Sequence, residues 1–170
     1  MGKYAEKAVT LFKEGFNCSQ SVFGAFAEDY NLDQDLAMRI AASFGGGMGR
    51  MREVCGAVSG MLLVAGLETG AVVGSDREKK AENYAEVQAL AEQFRAQNGS
   101  IICRELLGLD KAGGSETGGS ETGDSETGGS ETGGSGMSHV PEERTEAYYR
   151  KRPCAELVKC AAEILEKRYK

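Results

Sequence analysis

Apolar residues recur at three- and four-residue intervals along most of this chain, the spacing of one helix face. Over about 3–14 that face is Tyr4, Ala8, Leu11 and Phe12, and Gly15 stops it. Asn17 followed by Gln20 predicts a capping box ahead of a second helix, with Cys18, Val22, Phe23, Phe26 and Tyr30 inward. Asp33 predicts the cap of a third, burying Leu36, Ala37, Ile40, Ala41 and Phe44. A fourth follows over Val54–Leu67, uncharged throughout. Ser75 and Glu78 predict a capping box for the longest helix, about 76–97, striped by Tyr84, Val87, Ala91 and Phe94 and closed by Asn98-Gly99. Ser100 caps a short turn holding Cys103, Leu106 and Leu107. A helical segment over 141–152 carries Tyr148 and Tyr149. The last helix has Pro153 at its first position and Val158, Ala161, Ala162 and Leu165 facing the core. Alternating strand-like runs are almost absent. The pattern predicts an all-α fold, a compact single-domain bundle of about five to seven helices.

One tract breaks the periodicity. Residues 113–136, GGSETGGSETGDSETGGSETGGSG, repeat every five residues and hold no side chain that could build a core. Such a Gly/Ser/Glu/Thr tract predicts a long flexible loop. Its regularity is that of a slipped-repeat expansion or an engineered linker. The 34 residues after it are too few to bury a core alone. The expected plan is therefore a main helical part over 1–112, a linker over 113–136, and a C-terminal segment, 137–170, completing the same domain.

Composition narrows the function classes. At 170 residues, 41% hydrophobic and 27% charged, the chain has the make-up of a globular domain with a real core. Its net charge of −6 is concentrated in the repeat, where Glu116, Glu121, Asp124, Glu126 and Glu131 face no Lys or Arg. The remainder is close to neutral, which predicts no nucleic-acid partner. The longest apolar run, Val54–Leu67, has 14 residues, short of the ~20 that span a bilayer, so no membrane insertion is expected. The G-x-x-x-G of Gly56 and Gly60 then predicts close packing between helices of a water-soluble core. Met1-Gly2-Lys3 leads straight into a helix without an export signal, which predicts a cytoplasmic protein. There, five cysteines read as metal-binding or catalytic rather than as disulfides. The longest helix carries few large apolar residues and would suit packing against a second copy, a homodimer.

The chemistry centres on FGGGMGRMREVCGAVSG, residues 44–60. Gly45, Gly46, Gly47 and Gly49 allow positive φ and a close approach of backbone to whatever lies against it. With Arg50 they form a candidate cofactor- or anion-binding loop; a tight helix connection is the plain alternative. Cys55 falls in the first turn of the next helix, near unpaired N–H groups, Arg50 and Arg52, a setting that favours thiolate and makes it the candidate nucleophile. Cys18, Cys103 and Cys154 share this first-turn position, after Asn17, Ser100 and Pro153. If these helix starts converge, they create a pocket that stabilises thiolates or an anionic metal–thiolate centre. Lys151 and Arg152, just before Cys154, could tune that thiol or dock an acidic redox partner, or could be plain solvated charge. Cys160, mid-helix, reads as a small buried hydrophobe. His139 stands alone. No C-x-x-C pair exists, which excludes a thioredoxin motif and a local zinc knuckle.

The segments NCSQSV, FGGGMGR leading into VCGAVSG, CRELLG and RPCAELVKCAAEILE resemble the C_GCAxxG_C_C family of redox-active proteins. Cys55-Gly56-Ala57-Val58-Ser59-Gly60 matches its C-G-A-x-x-G motif, and Cys18, Cys103 and Cys154 match its other cysteines. The resemblance spans nearly all of the chain but the repeat, which is a departure lying between Cys103 and Cys154. It implies a redox role with an unidentified redox partner protein. The family is also similar to the iron–sulfur part of split-Soret cytochrome c, which implies a [2Fe–2S] cluster on Cys18, Cys55, Cys103 and Cys154; the haem motifs of that protein are absent here. Four readings stay open: electron transfer through a four-cysteine iron–sulfur centre, thiol–disulfide exchange without a cofactor and with Cys55 as nucleophile, a structural zinc site, and a small-anion-binding module.

Overall fold

A computed structural model describes residues 2–111 and 138–170; the linker expected at 113–136 lies outside the described residues. Helix α2, Cys18–Phe26, occupies the centre. Its capping box forms as its sequence predicts, with the Gln20 N–H donating to Asn17 Oδ1 and the Asn17 N–H to Gln20 Oε1, each at 3.0 Å. Beyond that cap the helix is apolar or small on every side, and Ser19, Ser21 and Val22 to Phe26 are all buried. A helix without a polar face must be surrounded. The helices α1 (Lys3–Lys13), α3 (Gln34–Ala42), α5 (Gly56–Thr69) and α9 (Cys154–Tyr169) surround it, while α6 (Arg77–Asn98) packs outside α5 and α9. One core runs through both sides of the repeat tract, joining Phe12, Phe26, Met61 and Phe94 to Val158 and Leu165. Among the described residues there is no strand, only an isolated antiparallel bridge between Val54 and Ile102. None of the described helices is long and apolar enough to cross a membrane.

Glycines set the contact that later matters for the site. A Cβ at Gly60 would stand 2.7 Å from the Ser19 carbonyl, and one at Gly56 would stand 3.1 Å from Cys18 Cβ. The G-x-x-x-G pair thus packs α5 against the start of α2 at backbone distance, and in doing so draws Cys55, the N-cap of α5, toward Cys18.

Two predicted faces are rotated. Leu36 and Ile40 are exposed, and α3 instead buries Ala37, Met38 and Ala41. In α6 Tyr84 is exposed and the buried line is Glu86, Leu90 and Phe94. Glu86 is inward because Arg168 and Tyr169 of α9 meet it: Arg168 Nε and Nη2 donate to its two oxygens at 2.8 and 2.6 Å, and Tyr169 donates at 2.8 Å. Burying a carboxylate is tolerable only with such partners. Asp76, rather than Ser75, caps α6, accepting from the Lys79 N–H. Of the helical segment expected over 141–152 only Glu146–Lys151 (α8) is helical, capped by Thr145, and Pro153 is the N-cap of α9 rather than its first residue.

Candidate functional site

The segment between α3 and α5 is wound tightly. A single turn, α4 (Gly45–Met48), opens it, and Gly46, Gly47 and Met48 within that turn and Gly49, Arg50 and Arg52 after it all have φ between +61° and +71°. The glycines adopt this left-handed form freely, whereas Met48, Arg50 and Arg52 each give up about 1–2 kcal/mol to it. Backbone bonds hold the coil closed, including Arg52 N–H to Gly46 O and Glu53 N–H to Gly47 O at 3.3 and 3.1 Å. The chain leaves the coil through the Val54–Ile102 bridge, where Cys103 N–H donates to Glu53 O and Cys55 N–H to Ile101 O, at 2.6 and 2.8 Å. That bridge brings Cys103, first residue of the short helix α7 (Cys103–Leu106), against the glycine coil; a Cβ on Gly47 would stand 2.6 Å from Cys103 Cβ.

Cys154 arrives from the other side of the repeat, at the start of α9. All four helix-start cysteines, Cys18, Cys55, Cys103 and Cys154, line one cavity of about 270 Å³ together with Gly45, Gly46, Gly47, Gly49 and Arg50. Cys55, Cys103 and Cys154 are buried and Cys18 half-buried, and all are free thiols. Cys160 lies away from the cavity, half-buried, its sulfur accepting from Asn98 Nδ2 at 3.2 Å. Among the described residues no three His, Cys, Asp or Glu side chains stand close enough to hold a single metal ion.

The thiols are not equivalent. Cys18 and Cys154 share a hydrogen bond that lowers Cys154 to about 7 and raises Cys18 well above the ordinary thiol value. The asymmetry has a cause: Arg152, Arg144 and Arg52 favour the anion at Cys154, whereas burial and the other cysteines oppose it at Cys18. Burial pushes Cys55 up to about 12, although the nearby Ala57 and Val58 N–H groups favour its anion. The expectation that the helix start makes Cys55 a thiolate is therefore corrected: desolvation exceeds the dipole and N–H contribution there. Cys103 is also raised by burial, against the pull of Arg52, whose Nη1 reaches to 4.0 Å from its sulfur.

The cavity wall includes residues to which no sequence spacing pointed. Arg144 has its guanidinium 4.7 Å from the Phe12 ring centre and 4.8 Å from that of Tyr148, and donates to Phe16 O at 3.3 Å. Glu142 meets Arg152 at the cavity wall. These groups follow the repeat in a segment with weak periodicity; their only signal was the clustering of Arg and Tyr over 144–152.

The family profile described as "Putative redox-active protein (C_GCAxxG_C_C)" matches residues 16–168, a span that begins just before Cys18 and contains all four cavity cysteines. An uncharacterized protein of Archaeoglobus fulgidus is 31% identical over 111 residues, covering 61% of this chain and 74% of the relative. No solved structure gives a significant match.

Proposed function

The chain belongs to the C_GCAxxG_C_C family of redox-active proteins, and from that premise we propose that it transfers electrons through a [2Fe–2S] centre held by Cys18, Cys55, Cys103 and Cys154. The observation that carries the reading is that four cysteines from four helix starts line one glycine-walled cavity. A dithiol needs two of them; a [2Fe–2S] cluster takes four. A lone zinc ion would need four sulfurs at about 2.3 Å from one point, whereas a [2Fe–2S] cluster shares them between two irons. Such a centre supplies reversible one-electron storage, with a potential set by charge, hydrogen bonds to sulfur and exposure.

The chain's own groups would prepare the site in three ways. Gly47 leaves the space beside Cys103 that any Cβ would fill. The Ala57 and Val58 N–H groups at the start of α5 favour negative charge on the Cys55 sulfur, and Arg52 stands near that of Cys103, so these donors would offset the charge of a centre that is anionic overall. Burial of Cys55, Cys103 and Cys154 limits water access.

One observation favours a second reading. The Cys18–Cys154 pair is poised for disulfide exchange, with Cys154 in place of Cys55 as nucleophile. Its thiolate would attack a substrate disulfide and release one substrate thiolate; Cys18, losing its proton, would then displace the second and close a Cys18–Cys154 disulfide. Purification without oxygen, or reconstitution with iron and sulfide, separates the two. Visible absorbance, about two irons and two sulfides per chain, and an electron paramagnetic resonance signal on reduction are expected. A colourless, iron-free chain that forms a Cys18–Cys154 disulfide would replace the first reading with the second.

A further inference from the structure

Four arginines, Arg50, Arg52, Arg144 and Arg152, line the cavity, and among the described residues Glu142 is the one carboxylate beside them. Glu142 Oε1 is the point on which three of them gather: Arg152 Nη2 is in direct contact, and the Nη2 atoms of Arg50 and Arg52 stand at 3.8 and 4.0 Å. The last two separations exceed hydrogen-bonding distance, so Glu142 leaves both Nη2 donors open, while Arg50 Nε donates to Ser138 O at 2.9 Å. Arg144 is held between aromatic rings, and its Nη1 is buried without a hydrogen-bond partner among the described residues. The arginines retain little freedom: the Arg52 side chain is 11% exposed, whereas that of Glu142 is 45% exposed. Clustered guanidinium groups with open donors are matched by planar or tetrahedral oxyanions, which accept two hydrogen bonds side by side.

We propose that this arginine cluster is a binding site for a small oxyanion, and that Glu142 is the chain's own occupant, competing with it. Three of the cations, Arg50, Arg52 and Arg152, gather on the half-exposed Glu142 carboxylate, and a ligand oxyanion would take the donors that Glu142 does not reach. The inference needs only the arginines and Glu142 and does not rest on the iron–sulfur reading.

The full-length chain, reduced and stripped of metal with a chelator, is titrated with sodium sulfate by calorimetry, against sodium chloride at matched ionic strength. Saturable sulfate binding is expected in the wild type. Glu142→Gln removes the competing charge and should tighten it about tenfold, while Arg50→Gln and Arg52→Gln should each weaken it about tenfold. If sulfate gives no more than chloride does, the proposal is overturned. Equal affinity in the wild type, Glu142→Gln and Arg50→Gln also overturns it, since Glu142 then only fastens its loop. Should Glu142→Gln lose its helical circular dichroism, Arg50→Gln alone decides by the same criterion. Because the titrated chain is metal-free, a failed reconstitution of the cluster leaves this result untouched, and the reverse holds as well.

Discussion

Replacing Gly47 by Ala tests the glycine coil and the cavity together. Gly47 has φ of +71°, where an added Cβ costs about 1–2 kcal/mol in backbone strain alone. The same Cβ would stand 2.6 Å from Cys103 Cβ, 2.9 Å from Glu53 N and 3.0 Å from Arg52 Cα. None of these is the far end of a flexible side chain. Cys103 is tied by its own N–H to Glu53 O at 2.6 Å, and Arg104 N–H to Arg52 O at 3.1 Å, so yielding means loosening the bridge that sets Cys103 beside the coil. Overpacking of this kind costs about 1–3 kcal/mol. The two contributions together predict a loss of about 2–5 kcal/mol, read from urea unfolding followed by circular dichroism. Gly66→Ala is the control: its Cβ meets nothing within 4 Å on an exposed helix face, and it should stabilise the chain by up to about 1 kcal/mol. Gly47→Ala should also lower the iron retained after reconstitution, because Cys103 is displaced. A Gly47→Ala chain within about 0.5 kcal/mol of wild type, with iron binding unchanged, would refute the reasoning.

Other outcomes follow from the thiol and carboxylate environments. In the reduced, metal-free chain, iodoacetamide at pH 7 should label Cys154 well before Cys55, and peptide mass spectrometry that found Cys55 first would reverse the assignment of the nucleophile. The depressed Cys154 contributes stability that is complete above the unfolded thiol value of about 8.5 and is lost as pH falls through about 7; Cys154→Ser should abolish that part of the pH profile of unfolding. Cys160→Ala should keep the bound cofactor and lose only about 1 kcal/mol, since its sulfur meets Asn98 outside the cavity; loss of iron would identify it as a ligand. Glu86→Ala should cost about 1–3 kcal/mol by stripping Arg168 and Tyr169 of their shared acceptor. Because Arg168 holds the Glu86 carboxyl below its ordinary value, the difference from wild type should be full at neutral pH and fade as the pH falls through that lowered value.

Much of the fold was legible in the sequence because it is local. The Asn17–Gln20 box and the Asp33 cap involve residues three apart, and the helix they start is decided within one turn. The apolar faces of α9 and the all-α class follow from periodicity in the same way. So does the placement of four cysteines at helix starts, though Cys55 is the N-cap rather than a first-turn residue, and the smallness of Gly56 and Gly60 announced a close helix contact. Which way a helix turns its second-best face was not legible. Leu36 and Tyr84 are apolar enough to be buried, yet they are exposed because α2 and α9 cover the neighbouring line, and the partner that makes Glu86 tolerable lies on α9, far along the chain. The order of the thiols is likewise tertiary. A helix start predicts a lowered value for every one of the four, but desolvation at Cys55 and the hydrogen bond between Cys18 and Cys154 depend on what packs around each sulfur. What the sequence determined by itself was helices, caps and four marked cysteines. Their meeting in one arginine-lined cavity, and which of them holds the negative charge, came from packing, since burial and charge act through space across segments that the chain keeps far apart.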